Sequence, residues 1–193
     1  MEKLGVDLDE ILTDFNRSLL SYYNDKYHKS FLESEMKTYF LSDIAGLSRK
    51  EEYRIINEYF NSETFRGLLP SANSVEGINN LGEKFELYLI TSRPNAVKKS
   101  TILWIEDHFP DIFKFIIFSK NKTKICKNLG IEYIVEDNPK IAEDCARHGI
   151  QVFLFSKPWN IKLSPCAGVT RVNNFKEIIK ITAPWLNHST SQR

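Results

Sequence analysis

Leu4-Gly5-Val6-Asp7-Leu8-Asp9, a few residues from the N-terminus, is the stretch on which the reading of this chain turns. An apolar run ends there in two carboxylates two residues apart. Burying acids at a strand end costs on the order of several kcal/mol unless a cation or partner compensates. Two carboxylates so close are candidates for a hard-cation site, or for a nucleophile lying beside an acid/base group. Many Asp-x-Asp pairs are only solvated turn residues, so the rest of the chain carries the decision.

Residues 4–8 read as a short, fully apolar strand of the kind buried in parallel sheets. The period changes at Phe15, after which Leu19, Tyr22, Tyr23 and Tyr27 recur at helical spacing. Ser48-Arg49-Lys50-Glu51 matches a capping box and opens a helix with Tyr53, Ile56, Tyr59 and Phe60 on one face. Residues 16–70 therefore read as helical, with no strand among them. Leu69-Pro70-Ser71 marks a boundary, and Val75, Ile78 and Leu81 lead as a helix into the next strand. Strands at 86–90, 115–118, 131–135 and 151–155 then alternate with helices at 95–108, 122–129 and 139–148. Pro139 near a helix start, and Gly130 and Gly149 past helix ends, are the expected punctuation. The pattern predicts an α/β fold: a Rossmann-like parallel sheet flanked by helices, with a small all-helical cap inserted after the first strand. The core is expected over 1–15 and 70–193 and the cap over 16–69, a segment too short to bury a core easily alone.

The chain has 193 residues, 42% hydrophobic and 26% charged, as expected for one soluble globular unit. Lys plus Arg (26) nearly balances Asp plus Glu (25), which gives no basic footprint for a nucleic-acid polymer. Three cysteines without a CxxC, at 126, 145 and 166, fit reduced thiols in a cytoplasmic protein. Neither a signal peptide nor an apolar run of membrane-spanning length is evident.

In open α/β sheets ligands gather at the carboxyl ends of the strands. The first predicted strand ends in Asp7-Leu8-Asp9, and the second in Thr91-Ser92-Arg93-Pro94. The third is followed by Lys120-Asn121-Lys122-Thr123, and the fourth ends in Glu136-Asp137-Asn138-Pro139. Each piece has a plainer reading: Thr91-Ser92 as a helix cap, Lys122 as a solvated helix-start lysine, Asp137-Asn138-Pro139 as a turn. Together, at successive strand ends, they form a chemical set. A carboxylate can attack phosphorus, and a second one can protonate the leaving oxygen and later deprotonate water. Mg²⁺ and a lysine can offset the phosphate charge, while a hydroxyl and backbone N–H groups hold the remaining oxygens.

These four motifs, Asp7-Leu8-Asp9, Thr91-Ser92, Lys122 and Glu136-Asp137, resemble in order those of the haloacid dehalogenase (HAD) superfamily of phosphohydrolases. More narrowly, Asp7-Leu8-Asp9-Glu10-Ile11-Leu12-Thr13-Asp14-Phe15, Leu89-Ile90-Thr91-Ser92-Arg93-Pro94 and Val135-Glu136-Asp137-Asn138-Pro139 are similar to motifs of its 5′(3′)-deoxyribonucleotidase branch. Ser156-Lys157-Pro158-Trp159-Asn160 and Arg171-Val172-Asn173-Asn174 resemble the ending of bacterial and phage relatives. The resemblance covers about residues 1–15 and 70–180. It implies Asp7 as nucleophile and Mg²⁺ ligand, and Asp9 as acid/base with its backbone carbonyl on the metal. It further implies Thr91, Ser92 and Lys122 around the phosphoryl group, and Asp137 completing the metal site. Glu136 and Asp14 would stand behind these, Asp14 being equally explained as a helix N-cap. Two positions depart from the pattern. Glu10 stands where relatives carry Gly, adding charge and bulk at a turn expected to approach phosphate. Glu136 replaces the more usual Asp. Lys120 and Lys124 flank Lys122 and leave the register among the three open.

The resemblance implies a Mg²⁺-dependent phosphomonoesterase acting through an aspartyl-phosphate on a small phosphorylated substrate, most directly a nucleoside monophosphate. A phosphatase of another small metabolite and a non-catalytic binding protein on the same scaffold are the alternatives. Among cap aromatics, Tyr22, Tyr23, Tyr27, Tyr59, Phe60 and Phe65 are candidates to stack a nucleobase, against a packing role for most. Trp159 reads as core packing. The histidines, His28, His108, His148 and His188, have no paired spacing that suggests a metal.

Overall fold

The computed structural model describes residues 1–188, with side chains through 183. The part of the expected core at 189–193, and the side chain of His188, lie outside the described residues. Six strands, β1 (Glu2–Val6), β2 (Phe85–Thr91), β3 (Phe113–Phe118), β4 (Tyr133–Glu136), β5 (Gln151–Phe155) and β6 (Val169–Val172), form one parallel sheet in the order β3-β2-β1-β4-β5-β6. Helices α1 (Phe15–Tyr27), α2 (Leu41–Ala45), α3 (Arg49–Phe60) and α4 (Glu63–Arg66) come between β1 and β2. They are followed by α5 (Ser74–Gly82), α6 (Lys98–His108), α7 (Lys122–Leu129), α8 (Pro139–Arg147) and α9 (Phe175–His188). Among the described residues no helix is long and apolar enough to cross a membrane.

The period-two alternation of strand side chains separates two cores. Leu87 and Leu89 of β2 join Ile78, Leu81, Ile105, Phe175 and Ile178 on the face covered by α5, α6 and α9. Tyr88 and Ile90 of the same strand join Cys126, Ala142 and Cys145 on the face covered by α7 and α8. Burial on both faces explains why the strands read as continuous apolar runs. β1 lies at the centre, with β2 on one side and β4 on the other. The strand order reverses there, which places a cleft at its carboxyl end.

The sequence pattern misses β6 and α9. β6 is a four-residue edge strand, Val-Thr-Arg-Val, with Thr170 exposed, so it lacks the apolar run that marks its neighbours. β1 closes at Val6, two residues earlier than expected, although the Asp7 N–H continues the ladder by donating to Val135 O at 3.0 Å. The segment expected to be helical throughout is helical only in part. Between α1 and α2 only Glu33–Glu35, one turn of 3₁₀ helix, is regular. The segment has its own apolar cluster, including Leu19, Leu20, Tyr23, Leu41, Ile55, Tyr59 and Phe65. The chain leaves the sheet and returns side by side: Thr13 bridges Pro70, and the Ser71 N–H donates to Leu12 O at 2.8 Å.

α5 and α9 touch at Gly77, where an added Cβ would lie 2.4 Å from Phe175 Cγ. Gly77→Ala is therefore expected to force the Phe175 ring out of its place and cost about 1–3 kcal/mol, despite the better helix propensity of alanine. Urea unfolding at equilibrium checks this, and an unchanged or raised midpoint contradicts it.

Candidate active site

Asp7 follows the last residue of β1 and is buried. Its Oδ1 accepts the Leu8 N–H at 2.7 Å and lies 2.7 Å from Lys122 Nζ. Lys122 is the first residue of α7, and its side chain is 1% exposed. The same ammonium donates to Glu136 Oε2 at 2.7 Å, at the end of β4. Glu136 Oε1 accepts the Asn138 N–H at 3.2 Å, so both of its oxygens are engaged. Lys120 and Lys124 are exposed, Lys120 also lines the cavity, and Lys122 is the lysine that meets the two acids.

Asp137 is buried beside them, and one ligand oxygen each from Asp7, Glu136 and Asp137 lie within 4.8 Å of one another. The Trp159 indole Nε1 donates to Asp137 Oδ2 at 3.0 Å, and Asn160 Nδ2 donates to Asp137 O at 2.7 Å. Three acids and one lysine leave excess negative charge in a desolvated place. Burial, and then the neighbouring Glu136, push the Asp7 carboxyl up to about 7 against the pull of Lys122. Burial and the Glu136 and Asp7 charges likewise raise Asp137 well above the carboxylate range. Burial alone would pull the Lys122 ammonium down, but Asp7 and Glu136 outweigh it and hold it above its ordinary value. Hard oxygen donors with uncompensated charge fit a divalent cation such as Mg²⁺. With Glu136 spent on Lys122 and Asn138, the donors that remain are one oxygen each on Asp7 and Asp137.

Asp9 lies in the connection to α1. Arg93 Nε donates to Asp9 Oδ1 at 3.2 Å and Oδ2 at 3.0 Å, and Nη2 donates to Oδ1 at 2.6 Å. Thr13 Oγ1 adds a bond of 3.3 Å to Oδ1. Thr91, the last residue of β2, is fully buried, does not line the cavity, and accepts the Arg93 N–H at 3.2 Å. Ser92 is exposed and does line it.

Glu10 has φ 67°, the left-handed region that favours glycine and costs another residue roughly 1–2 kcal/mol. Its carboxylate does not bring the free charge expected of it. Oε1 accepts the Asn16 N–H at 2.5 Å, and Oε2 lies 3.2 Å from Lys157 Nζ, an ion pair outside hydrogen-bond alignment. Burial pushes this carboxyl up to about 7, and the Lys157 charge opposes the rise. Because Asn16 is in the first turn of α1, Glu10 makes the cap bond that one of the two readings assigns to Asp14. Asp14 makes no cap bond, pairs with Arg17 at 3.6 Å and stays outside the cavity.

A cavity of about 570 Å³ runs from these acids to the helices of the insertion. Of the six aromatic candidates, most of which read as packing residues, Phe60 lines it, whereas Tyr22, Tyr23, Tyr27, Tyr59 and Phe65 pack in the insertion's own cluster. Phe15, Tyr39, Phe40 and Tyr53 take their place. Tyr39 and Phe40 fall in the irregular stretch before α2, where no periodicity points to them. Trp159 is buried as expected, but its indole is also a partner of Asp137.

Several known proteins are similar to this chain. The sequence profile described as 5′ nucleotidase, deoxy (Pyrimidine), cytosolic type C protein matches residues 2–184. A 5′(3′)-deoxyribonucleotidase of Clostridium acetobutylicum is 27% identical over 138 residues, which cover 70% of this chain and 73% of that protein. A haloacid dehalogenase-like hydrolase of Streptococcus pneumoniae superposes with TM-score 0.66 at 13% identity, covering 94% of this chain and 98% of that one. The HAD hydrolase YfnB of Bacillus subtilis, whose structure is bound to magnesium, superposes with TM-score 0.64 at 13% identity over 94% and 98% of the two chains. The two structures share the fold, and the profile covers almost the whole sequence. This chain belongs to the cytosolic type C 5′ nucleotidase family and is a phosphohydrolase of the HAD superfamily.

Proposed function

We propose that the chain hydrolyses nucleoside monophosphates in the cytoplasm, with Asp7 as nucleophile and Asp9 as acid/base. The observation that carries this reading is Lys122 lodged between Asp7 and Glu136, with Asp137 beside them, all lining the cavity. An Asp7 oxygen attacks phosphorus, the bond from phosphorus to the ester oxygen breaks, and Asp9 gives that oxygen its proton. Asp9 then takes a proton from water, whose oxygen attacks the aspartyl-phosphate. The bond to Asp7 breaks, and inorganic phosphate leaves. Lys122, the Ser92 hydroxyl and the N–H groups of the strand-to-helix turns hold phosphoryl oxygens. Thr91, buried behind the cavity wall, accepts the Arg93 N–H and so supports the turn that carries Ser92. Mg²⁺ would be held by Asp7, Asp137 and the Asp9 carbonyl, and when bound it offsets the charge of phosphate facing carboxylates. Residues 16–69 act as the cap, and its Phe40 and Phe60, with Phe15 at its edge, are candidates to stack the base. The near-neutral charge supports a mononucleotide over a polymer, and three free cysteines support a reducing compartment.

Asp7→Asn should lower turnover at least about a thousandfold, ~4 kcal/mol in barrier, since an amide cannot accept the phosphoryl group. Steady-state assay of folded protein tests this, and a loss under about tenfold removes Asp7 as nucleophile. Excess chelator should abolish turnover, and Mg²⁺, but not Ca²⁺, should restore it. Mg²⁺ at about a hundred times its Kd should also stabilise the fold by ~2.7 kcal/mol. Full activity in chelator, or a melting temperature indifferent to Mg²⁺, counts against the metal assignment.

Phe40→Leu and Phe60→Leu should raise KM for the nucleotide about five- to tenfold, as stacking worth ~1–3 kcal/mol per base is lost. Hydrolysis of a small aryl phosphate should be spared. Unchanged nucleotide selectivity in both variants would favour a phosphatase of another metabolite.

A further inference from the structure

We infer that Arg93 is a positioning residue, one that fixes the carboxylate of Asp9 for proton transfer and ties it to the insertion. The inference rests on the reading of Asp9 as the acid/base group. The Arg93 side chain is 2% exposed and that of Asp9 26%, so the pair is not a solvated surface bridge of little worth. Nε spans both carboxylate oxygens and Nη2 adds a third contact, a fork that sets the plane of the carboxylate as well as its distance. Such a clamp has work to do here. Asp9 stands on a connection without regular structure, and the bond from Thr13 is long.

The remainder of the guanidinium is equally committed. Nη1 donates to Thr101 Oγ1 at 3.3 Å, and Thr101 is fully buried in α6. The guanidinium carbon lies 5.1 Å from the centre of the Phe65 ring and 5.9 Å from that of Phe15, within reach of a cation–π contact. Arg93 therefore touches the sheet's helical cover, the first helix of the insertion, its fourth helix and the acid/base carboxylate. A displacement of about 1 Å in such a group can cost on the order of a hundredfold in rate. Arg93 also lines the cavity, so direct binding of the phosphoryl group is the competing role.

The two roles separate by leaving group. A nucleotide expels an alkoxide that needs a proton, whereas p-nitrophenyl phosphate expels a stable anion that needs little help. The experiment measures kcat/KM for both substrates with wild type, Arg93→Gln, Arg93→Lys and Asp9→Asn, each checked for folding by circular dichroism. Arg93→Gln should lose about thirtyfold or more on the nucleotide but under about threefold on the aryl phosphate, copying Asp9→Asn in kind. Arg93→Lys, which keeps the charge without the fork, should fall between and show the same split. It serves alone if the glutamine variant does not fold. Equal losses on both substrates overturn the inference, because a phosphoryl contact or a purely structural role acts on both alike. A split in Asp9→Asn that neither Arg93 variant reproduces overturns the role of Arg93 alone. No split in Asp9→Asn overturns the acid/base reading, and the inference with it.

Discussion

The ammonium of Lys122, enclosed between Asp7 and Glu136, is the contact on which the carboxyl end of the sheet depends. It joins three elements: the residue after β1, the first turn of α7 and the end of β4. A lysine so buried persists only because two carboxylates meet it, and loss of one partner of a buried pair typically costs about 3–5 kcal/mol. The arrangement explains why Glu136 differs in kind from its neighbours. Its oxygens are consumed by Lys122 and the Asn138 N–H, so it supports the lysine rather than offering a donor to the cleft. Its two oxygens span these partners, whereas Asp137 beside it is held by Trp159 and Asn160.

A second layer fixes Asp137. The segment after β5 supplies Lys157 to Glu10, Trp159 to the Asp137 carboxylate and Asn160 to the Asp137 carbonyl. Asn160 is itself held by Arg171 of β6, whose Nη1 donates to Asn160 Oδ1 at 2.8 Å. The edge strand thus reaches the site through one asparagine. Partners of this kind set the orientation of ligating carboxylates, and their removal in metal sites commonly costs ten- to a hundredfold in affinity.

What could be read in the sequence follows from how each signal is encoded. The strand and helix alternation from residue 85 onward is local, as are Asp7, Lys122 and Asp137, each at the end or start of a periodic segment. The two-faced core follows from that alternation, but the strand order β3-β2-β1-β4-β5-β6 does not. Arg93 stands inside the Thr91-Ser92-Arg93-Pro94 run, but its pairing is not legible there, since its partner is 84 residues away. Trp159 looked like core, and it is buried, but hydrophobicity says nothing of where an indole N–H points. Tyr39 and Phe40 sit in irregular chain. Among the periodic residues Tyr22, Tyr23 and Tyr59 pack inward while Phe15, Tyr53 and Phe60 line the cavity, so periodicity alone does not separate the buried face from the cavity wall. Glu10 was legible as an anomaly, but its neutralisation by Lys157 is a contact between distant segments.

The central place of β1 bears on how the chain reaches its native state. Glu2 must find Phe85 and Leu4 must find Tyr133, pairings far apart in sequence, and such topologies fold slowly. The intervening helices make contacts among near neighbours, and the Thr13–Pro70 bridge closes their segment at its base. Once collapsed, that segment removes most of the span β1 must close to meet β2, although closure entropy grows only about 0.6 kcal/mol per doubling of loop length. The same insertion that walls the cavity thereby also sets how far along the chain β1 must reach to meet β2. Because closure depends so weakly on length, its helices can be lengthened or exchanged at little entropic cost as long as the Thr13–Pro70 base is kept.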